Sequence, residues 1–304
     1  MKRRKFIEST GAAGALISMG GLSLSSCSRK TDRHITILHT NDVHSHIDPF
    51  PTDHPNYPNL GGIARRATLI DQVRQENPST LLLDAGDIFQ GTPYFNFFGG
   101  EVEFKLMSKL KYDAATIGNH DFDNGIDGLD NQLPNAAFDF IISNYDLKNT
   151  ILDGKTSPFK IYKKNDVKIG IFGIGIELNG LVDPLLYKET AYLDPIEITQ
   201  DMGRYLKIEK GCDLVICLSH LGYHYKNKNK ISDLSLAQQT QNIDLIIGGH
   251  THTFLKKPTI TKNINSENML INQVGKWGIN VGRVDFYFDE FKNITSSGKQ
   301  IILT

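Results

Sequence analysis

The sequence predicts an α/β fold: a layered, mixed sheet with helices packed against it. Two observations carry this prediction. Short β-branched or leucine-rich runs recur along the chain, and amphipathic stretches with helical spacing lie between them. A third sharpens it. Several of the runs end in a cluster of polar residues, as strands do where an open α/β sheet presents its carboxyl edge to a ligand.

Taken in order, the strand candidates are "ITILHT", "TLLLDA", "AATIG", "FIIS", "KIGIFGIG", "DLVICLS" and "DLIIGG". Helical patterns occupy residues 62–75, 101–110, 196–207 and 234–242. The proline-rich "IDPFPTDHPNYPNLGG" holds neither helix nor central strand and reads as a long loop after the first polar cluster. Its Phe50 and Tyr57 make it a candidate substrate-contacting lid. Near the end, "NMLINQVGKWGINVGRVDFYFDE" alternates like antiparallel strands, so the sheet is expected to be mixed.

Ahead of the first strand, residues 1–27 read as an export signal: a basic start, a Gly/Ala-rich apolar run, then Leu24-Ser25-Ser26-Cys27. The apolar run falls short of the roughly 20 residues of a membrane span. Arg3-Arg4 resembles a twin-arginine signal, and the tetrapeptide resembles a bacterial lipobox, which implies lipid on Cys27 and a periplasmic or cell-envelope lipoprotein of a bacterium. The plainer alternative is a cleaved signal with an incidental cysteine. Residues 28–33 form a polar tether, and 34–304 form one domain.

A hydrophobic content of 39% with 22% charged residues is ordinary for a globular chain with a sizeable core. A formal net charge of −1 with interspersed signs offers no nucleic-acid-binding surface and no polybasic run for anionic lipid. Cys212 and Cys217 read as small core residues, poor partners because positions five apart on a strand face opposite ways.

The polar clusters are Asp42-Val43-His44, Gly86-Asp87, "GNHDFD" at 118–123, Ser219-His220 and "GGHTHT" at 248–253. Carboxylate, amide oxygen and neutral imidazole suit hard-to-borderline divalent metals, and Asp-x-His and His-x-His are expected to present alternate donors in an extended turn. One carboxylate can serve two ions about 4 Å apart, so a binuclear site is expected.

Together "LHTNDVHSH", "GDIFQGTP", "GNHDFD", "SHLG" and "GGHTHT", in this order, resemble the calcineurin-like metallophosphoesterases, and within them the 5'-nucleotidase branch. The resemblance implies a sandwich of two mixed β-sheets flanked by helices. It implies one metal on Asp42, His44, Asp87 and His252, and a second on the shared Asp87 with Asn119, His220 and His250. Zn, Mn, Co or Fe would serve. His252 stands where several 5'-nucleotidases have glutamine. His120 and Asp123 match the catalytic pair, the imidazole stabilising the transition state or protonating the leaving oxygen during in-line attack by metal-bound water. The implied substrate is a nucleotide, most simply a nucleoside 5'-monophosphate. Alternatives are a phosphodiesterase or nucleotide-sugar hydrolase, and a non-catalytic metal-binding lipoprotein or accessory subunit of a split nucleotidase. The carboxyl-terminal base-stacking domain of many 5'-nucleotidases has no counterpart before Thr304, which raises the expectation of a separate partner chain carrying it.

The other polar residues read more plainly. His39 is expected to be packed in its strand, His46 to support the metal loop, Asp121 and Gln90 to hold turns, and His34, His54 and His224 to lie on the surface or in loops. The run from His224 to Lys230 reads as a solvated loop.

Overall fold

The computed structural model describes residues 33–304 apart from Lys292. The export signal and all but the last residue of the tether lie outside the described residues, and Arg33 already belongs to the first strand.

Two six-stranded sheets stack face to face. The first has the order β14-β13-β1-β2-β3-β4, with β1 (Arg33–Thr40), β2 (Thr80–Asp84), β3 (Ala114–Ala115), β4 (Asp139–Phe140), β13 (Asn280–Phe288) and β14 (Ile294–Ile302). The second has the order β11-β12-β10-β9-β7-β6, with β6 (Phe159–Lys164), β7 (Val167–Ile174), β9 (Leu214–Ser219), β10 (Leu245–Gly248), β11 (Thr259–Lys262) and β12 (Asn268–Asn272). The sheets are mixed in different ways: in the first, β1 through β4 run parallel out to the β4 edge, with β13 and β14 paired antiparallel on the other side, while in the second β7, β9, β10 and β12 run parallel between antiparallel β6 and β11. A small pair, β5 (Tyr145–Asp146) and β8 (Ala191–Tyr192), stands apart.

Residue parity decides which core each side chain enters. Ile35 and Ile37 of β1 meet Leu214, Ile216 and Leu218 of β9 between the sheets, whereas Leu38 turns outward with Leu82 to Phe104 and Leu129. That outer layer includes helices α1 (Ile63–Glu76), α3 (Glu101–Lys109) and α4 (Gly125–Gln132). On the far side, Val215 and Cys217 pack with Leu236 and Ala237 of α7 (Asp233–Gln239) and with partly buried Ile198 and Met202 of α6 (Pro195–Arg204). Strands buried on both faces need continuous apolar runs, which is why "LVICL" and "ITIL" do not alternate.

Two further helices, α2 (Pro93–Phe98) and α5 (Pro184–Tyr187), are short and begin at proline, whose fixed φ suits the first helical turn. One expectation is corrected. Cys212 and Cys217 share the same outer core, because Cys212 precedes β9 and so escapes the strand's alternation; both thiols are free and buried.

The layering places the carboxyl ends of β1, β2, β3, β9 and β10 along one edge. Each of the predicted polar clusters follows one of these ends.

Candidate metal centre

The loops at that edge are wound tightly. Asp42, His44, Asp87, His250 and His252 all have positive φ, between 50° and 68°. The extended turns expected for Asp-x-His and His-x-His are therefore left-handed instead, a strained conformation that persists because neighbouring backbone fixes it. Asp42 N–H donates to Gly86 O at 2.9 Å and His44 N–H to Asp87 O at 3.1 Å, tying the first loop to the second. Gly118 has to be glycine: a Cβ there would collide with the Asp87 carboxylate and backbone nitrogen.

Asp121 has a larger role than a single turn. Its carboxylate accepts N–H bonds from Gly118 and Asp87 on one oxygen, at 2.8 and 3.1 Å, and from Ile88 and Phe89 on the other, at 2.9 and 3.1 Å. Burial pushes its pKa up to about 7, and the nearby Asp87 charge adds to this, while the amide donors pull down. With both oxygens filled by N–H groups, the ionised form is the one that fits.

On this frame the side chains converge into two groups. Asp42, His44, Asp87 and His252 each offer a ligand atom within 4.8 Å of the others, and Asp87, His220 and His250 do the same. Asp87 is common to both. Its Oδ2 faces His220 Nε2 at 3.0 Å and His44 Nε2 at 3.8 Å. His252 Nε2 lies 3.1 Å from His44 Nε2 and 3.4 Å from Asp42 Oδ1. Asn119 joins the second group through Oδ1, 2.8 Å from His250 Nδ1.

The far atoms of these rings are engaged. His44 Nδ1 lies 3.2 Å from Phe89 O and His220 Nδ1 lies 2.6 Å from Ala85 O, so each Nδ1 carries a proton and each Nε2 is turned toward the centre. Burial lowers the pKa of His44, and burial with the His220 charge lowers His250 to about 4, so both favour the neutral form that binds metal. Burial opposes charge on His220 as well, but Asp87 beside it wins and lifts its pKa to about 10; reciprocally, Asp87 is held low despite its burial.

The donor set fits divalent cations. Buried His220 Nε2 is turned on the Asp87 carboxylate at 3.0 Å, two imidazole nitrogens face each other, and carboxylates stand among them. Such a cluster is repaid by a cation with oxygen and imidazole preferences.

His120 and Asp123 lie beside the groups. His120 Nδ1 is 2.8 Å from Asp123 Oδ2, and His120 N–H donates to Asp87 Oδ1 at 2.8 Å. The Asp123 hydrogen bond raises the His120 pKa over the opposing effect of burial.

Residues that the sequence left unremarked complete the frame. Asn41 donates to Asp42 Oδ2 at 2.6 Å and accepts from Val274 N–H at 3.0 Å. Gln273 donates to Gly249 O at 2.5 Å and also accepts from Thr253 N–H. Asn41 had a signal in its adjacency to Asp42; Gln273 had none. His39 is buried in β1 with its ring 2.8 Å from Asn272, and His46 Nδ1 lies 2.8 Å from His44 O, its ring stacked near Trp277.

The calcineurin-like phosphoesterase family model matches residues 35–254. The chain belongs to the calcineurin-like phosphoesterase family. It is thereby a metal-dependent phosphoester hydrolase. It is 35% identical over 291 residues to the snake venom 5'-nucleotidase of Crotalus adamanteus, covering 88% of this chain and 48% of that protein. It is 32% identical over 295 residues to the 5'-nucleotidase of Homo sapiens, covering 88% and 49% respectively. The chain thus spans about half the length of these relatives. Among solved structures, this phosphoesterase superposes on a 5'-nucleotidase precursor from Thermus thermophilus with a TM-score of 0.80 at 33% identity, covering 89% of this chain and 55% of that one. It superposes on the NAD nucleotidase of Haemophilus influenzae with 0.78 at 28% identity, covering 90% and 50%.

Proposed function

We propose that the chain releases phosphate from nucleotides, most simply nucleoside 5'-monophosphates, at a two-metal centre. The observation that carries this is the placing of one carboxylate, Asp87, between two ligand groups, with the His120–Asp123 pair against it. Asp42, His44, Asp87 and His252 would hold one ion; Asp87, Asn119, His220 and His250 the other. Divalent ions there supply Lewis-acid polarisation of the phosphoryl group and a nucleophile from water at neutral pH.

The chain's own groups do the rest. His120, whose protonated form the Asp123 hydrogen bond favours and which is fixed through its backbone N–H to Asp87, donates toward the phosphoryl or leaving oxygen. Asp123 aims the ring and compensates its charge. Asn119, one residue before His120, ties this turn to His250. Storage of metal alone gives the His120–Asp123 pair no task, which favours hydrolysis.

The test is phosphate release from a panel of phosphoesters by purified chain loaded with Mn2+, Co2+ or Zn2+. Turnover of AMP above bis-aryl phosphate and UDP-glucose supports the reading; no turnover of any ester with bound metal verified by elemental analysis removes it. The likeness to an NAD nucleotidase keeps a nucleotide phosphodiester as the second reading, decided by the same panel with NAD included. We also propose export with lipid on Cys27, to be read from the mass of the mature amino terminus.

A further inference from the structure

The proline-rich stretch folds into a loop closed at its own neck. Phe50 N–H donates to Leu60 O at 2.9 Å, Ile63 N–H donates to Ile47 O at 2.8 Å, and Pro49 pairs with Gly61 in an isolated antiparallel bridge. Its rings turn onto the protein. Between ring centroids, Phe50 stands 5.2 Å from His46 and 5.5 Å from Trp277, Tyr57 stands 5.7 Å from Trp277, and His46 is stacked on Trp277 at 5.3 Å. Trp277 is the hub of the cluster.

Each ligand that belongs to the first group alone is tied into these rings. Trp277 N–H donates to Asp42 O at 2.7 Å, and His46 Nδ1 lies 2.8 Å from His44 O. Tyr57 lies near-parallel to Phe254 at 6.4 Å, and Phe254, two residues past His252, lays its ring over Gly275, where a Cβ would collide with it. Gly275 N–H in turn donates to Thr253 O at 2.9 Å, directly after His252. The second group is anchored elsewhere, with His220 on Ile174 O and Ala85 O and Asn119 on His250. Among the described residues, no ring contact or hydrogen bond joins the cluster to Asn119, His220 or His250.

Trp277 holds its place against its own backbone preference. Its φ of 62° is one that bulky residues seldom adopt, and Gly275 and Gly278 flank it with φ of 83° and 60°. Such a conformation persists only where surrounding contacts fix it, and here those contacts are the rings of the loop. The turn they hold is the one that aims the Trp277 N–H at Asp42 O.

We propose that the loop of residues 47–61 and Trp277 form a clamp that sets the metal affinity of the first group alone, with Trp277, His46 and Tyr57 as its positioning residues. This rests on the two-metal reading above.

The test counts ions. Metal-free full chain is titrated with Mn2+ by equilibrium dialysis, and the two dissociation constants are read separately. Trp277→Leu removes the ring and keeps the backbone N–H; it is expected to weaken one ion about 10- to 100-fold and leave the other within about twofold. Trp277→Phe returns a ring and is expected to recover most of that loss. Tyr57→Leu lies on the loop, clear of every ligand's backbone, and decides the matter should Trp277→Leu not fold; the same ion is expected to weaken about two- to tenfold. His252→Ala identifies the ion, and adding Trp277→Leu to it is expected to leave the constant of the remaining ion unchanged. Equal weakening of both ions, weakening of neither, or no recovery with phenylalanine overturns the proposal. Failure of the two-metal reading looks different: the wild-type chain takes up one ion, and the clamp then stands only if Trp277→Leu and His252→Ala both weaken it. No uptake at all removes both.

Discussion

The two ligand groups share Asp87 but are built differently. The second is sunk into the sandwich: the His220 side chain is 0% exposed, and its ring crosses from the end of β9 to Ala85 O behind β2, bonding one sheet to the other. In the first, Asp42 and His44 are buried as well, and it is His252 that reaches the rim, its side chain 31% exposed on a left-handed turn. His220 is therefore part of the fold's own structure, whereas His252 is an attachment to it. Loss of a ligand should cost stability on one side and mainly metal on the other.

The sharpest way to break that comparison is to remove what the groups share. Asp87→Ala is expected to empty both groups and lower turnover by about 10⁴-fold or more, with elemental analysis showing loss of both ions. Retention of one ion at full occupancy would mean the groups are independent. His120→Ala is next: metal content is expected to stay, while turnover falls about 10²- to 10⁴-fold. Comparing His220→Ala with His252→Ala tests the asymmetry itself. The buried change leaves Asp87 without its partner and is expected to cost about 3–5 kcal/mol of stability in denaturant titration. The rim change is expected to cost about 1 kcal/mol or less. Equal losses would refute the division into fold and attachment. Smallest is Asp123→Asn, which keeps the ring in place but removes its countercharge; turnover is expected to fall about 10- to 100-fold with metal content unchanged.

Much of this was legible because strand ends announce themselves. "LLLDAGD" and "LIIGGH" pass from the apolar run to the candidate ligand across a short glycine-bearing turn, which marks the strand end in the sequence itself. What stayed hidden was local and conformational. Aspartate and histidine enter the left-handed region more readily than most residues, but it is the neighbouring loops that fix Asp42, His44 and His252 there. α4 escaped because "GIDGLDNQ" carries two glycines and poor helix formers, and is held by Ile126 and Leu129 in the core. β6 escaped because the alternation of "FKIYKK" is diluted by lysines suited to an edge strand.

The four amides that converge on Asp121 belong to irregular loops, yet they are sealed from solvent by a charged acceptor. Gly118, Asp87, Ile88 and Phe89 should therefore exchange their hydrogens with deuterated water as slowly as the central strands do. Local fraying could not release one without uncovering the others. On that view the edge of the sandwich that carries the chemistry opens only when the whole molecule does, an inversion of the usual pattern in which loops are the first parts to loosen.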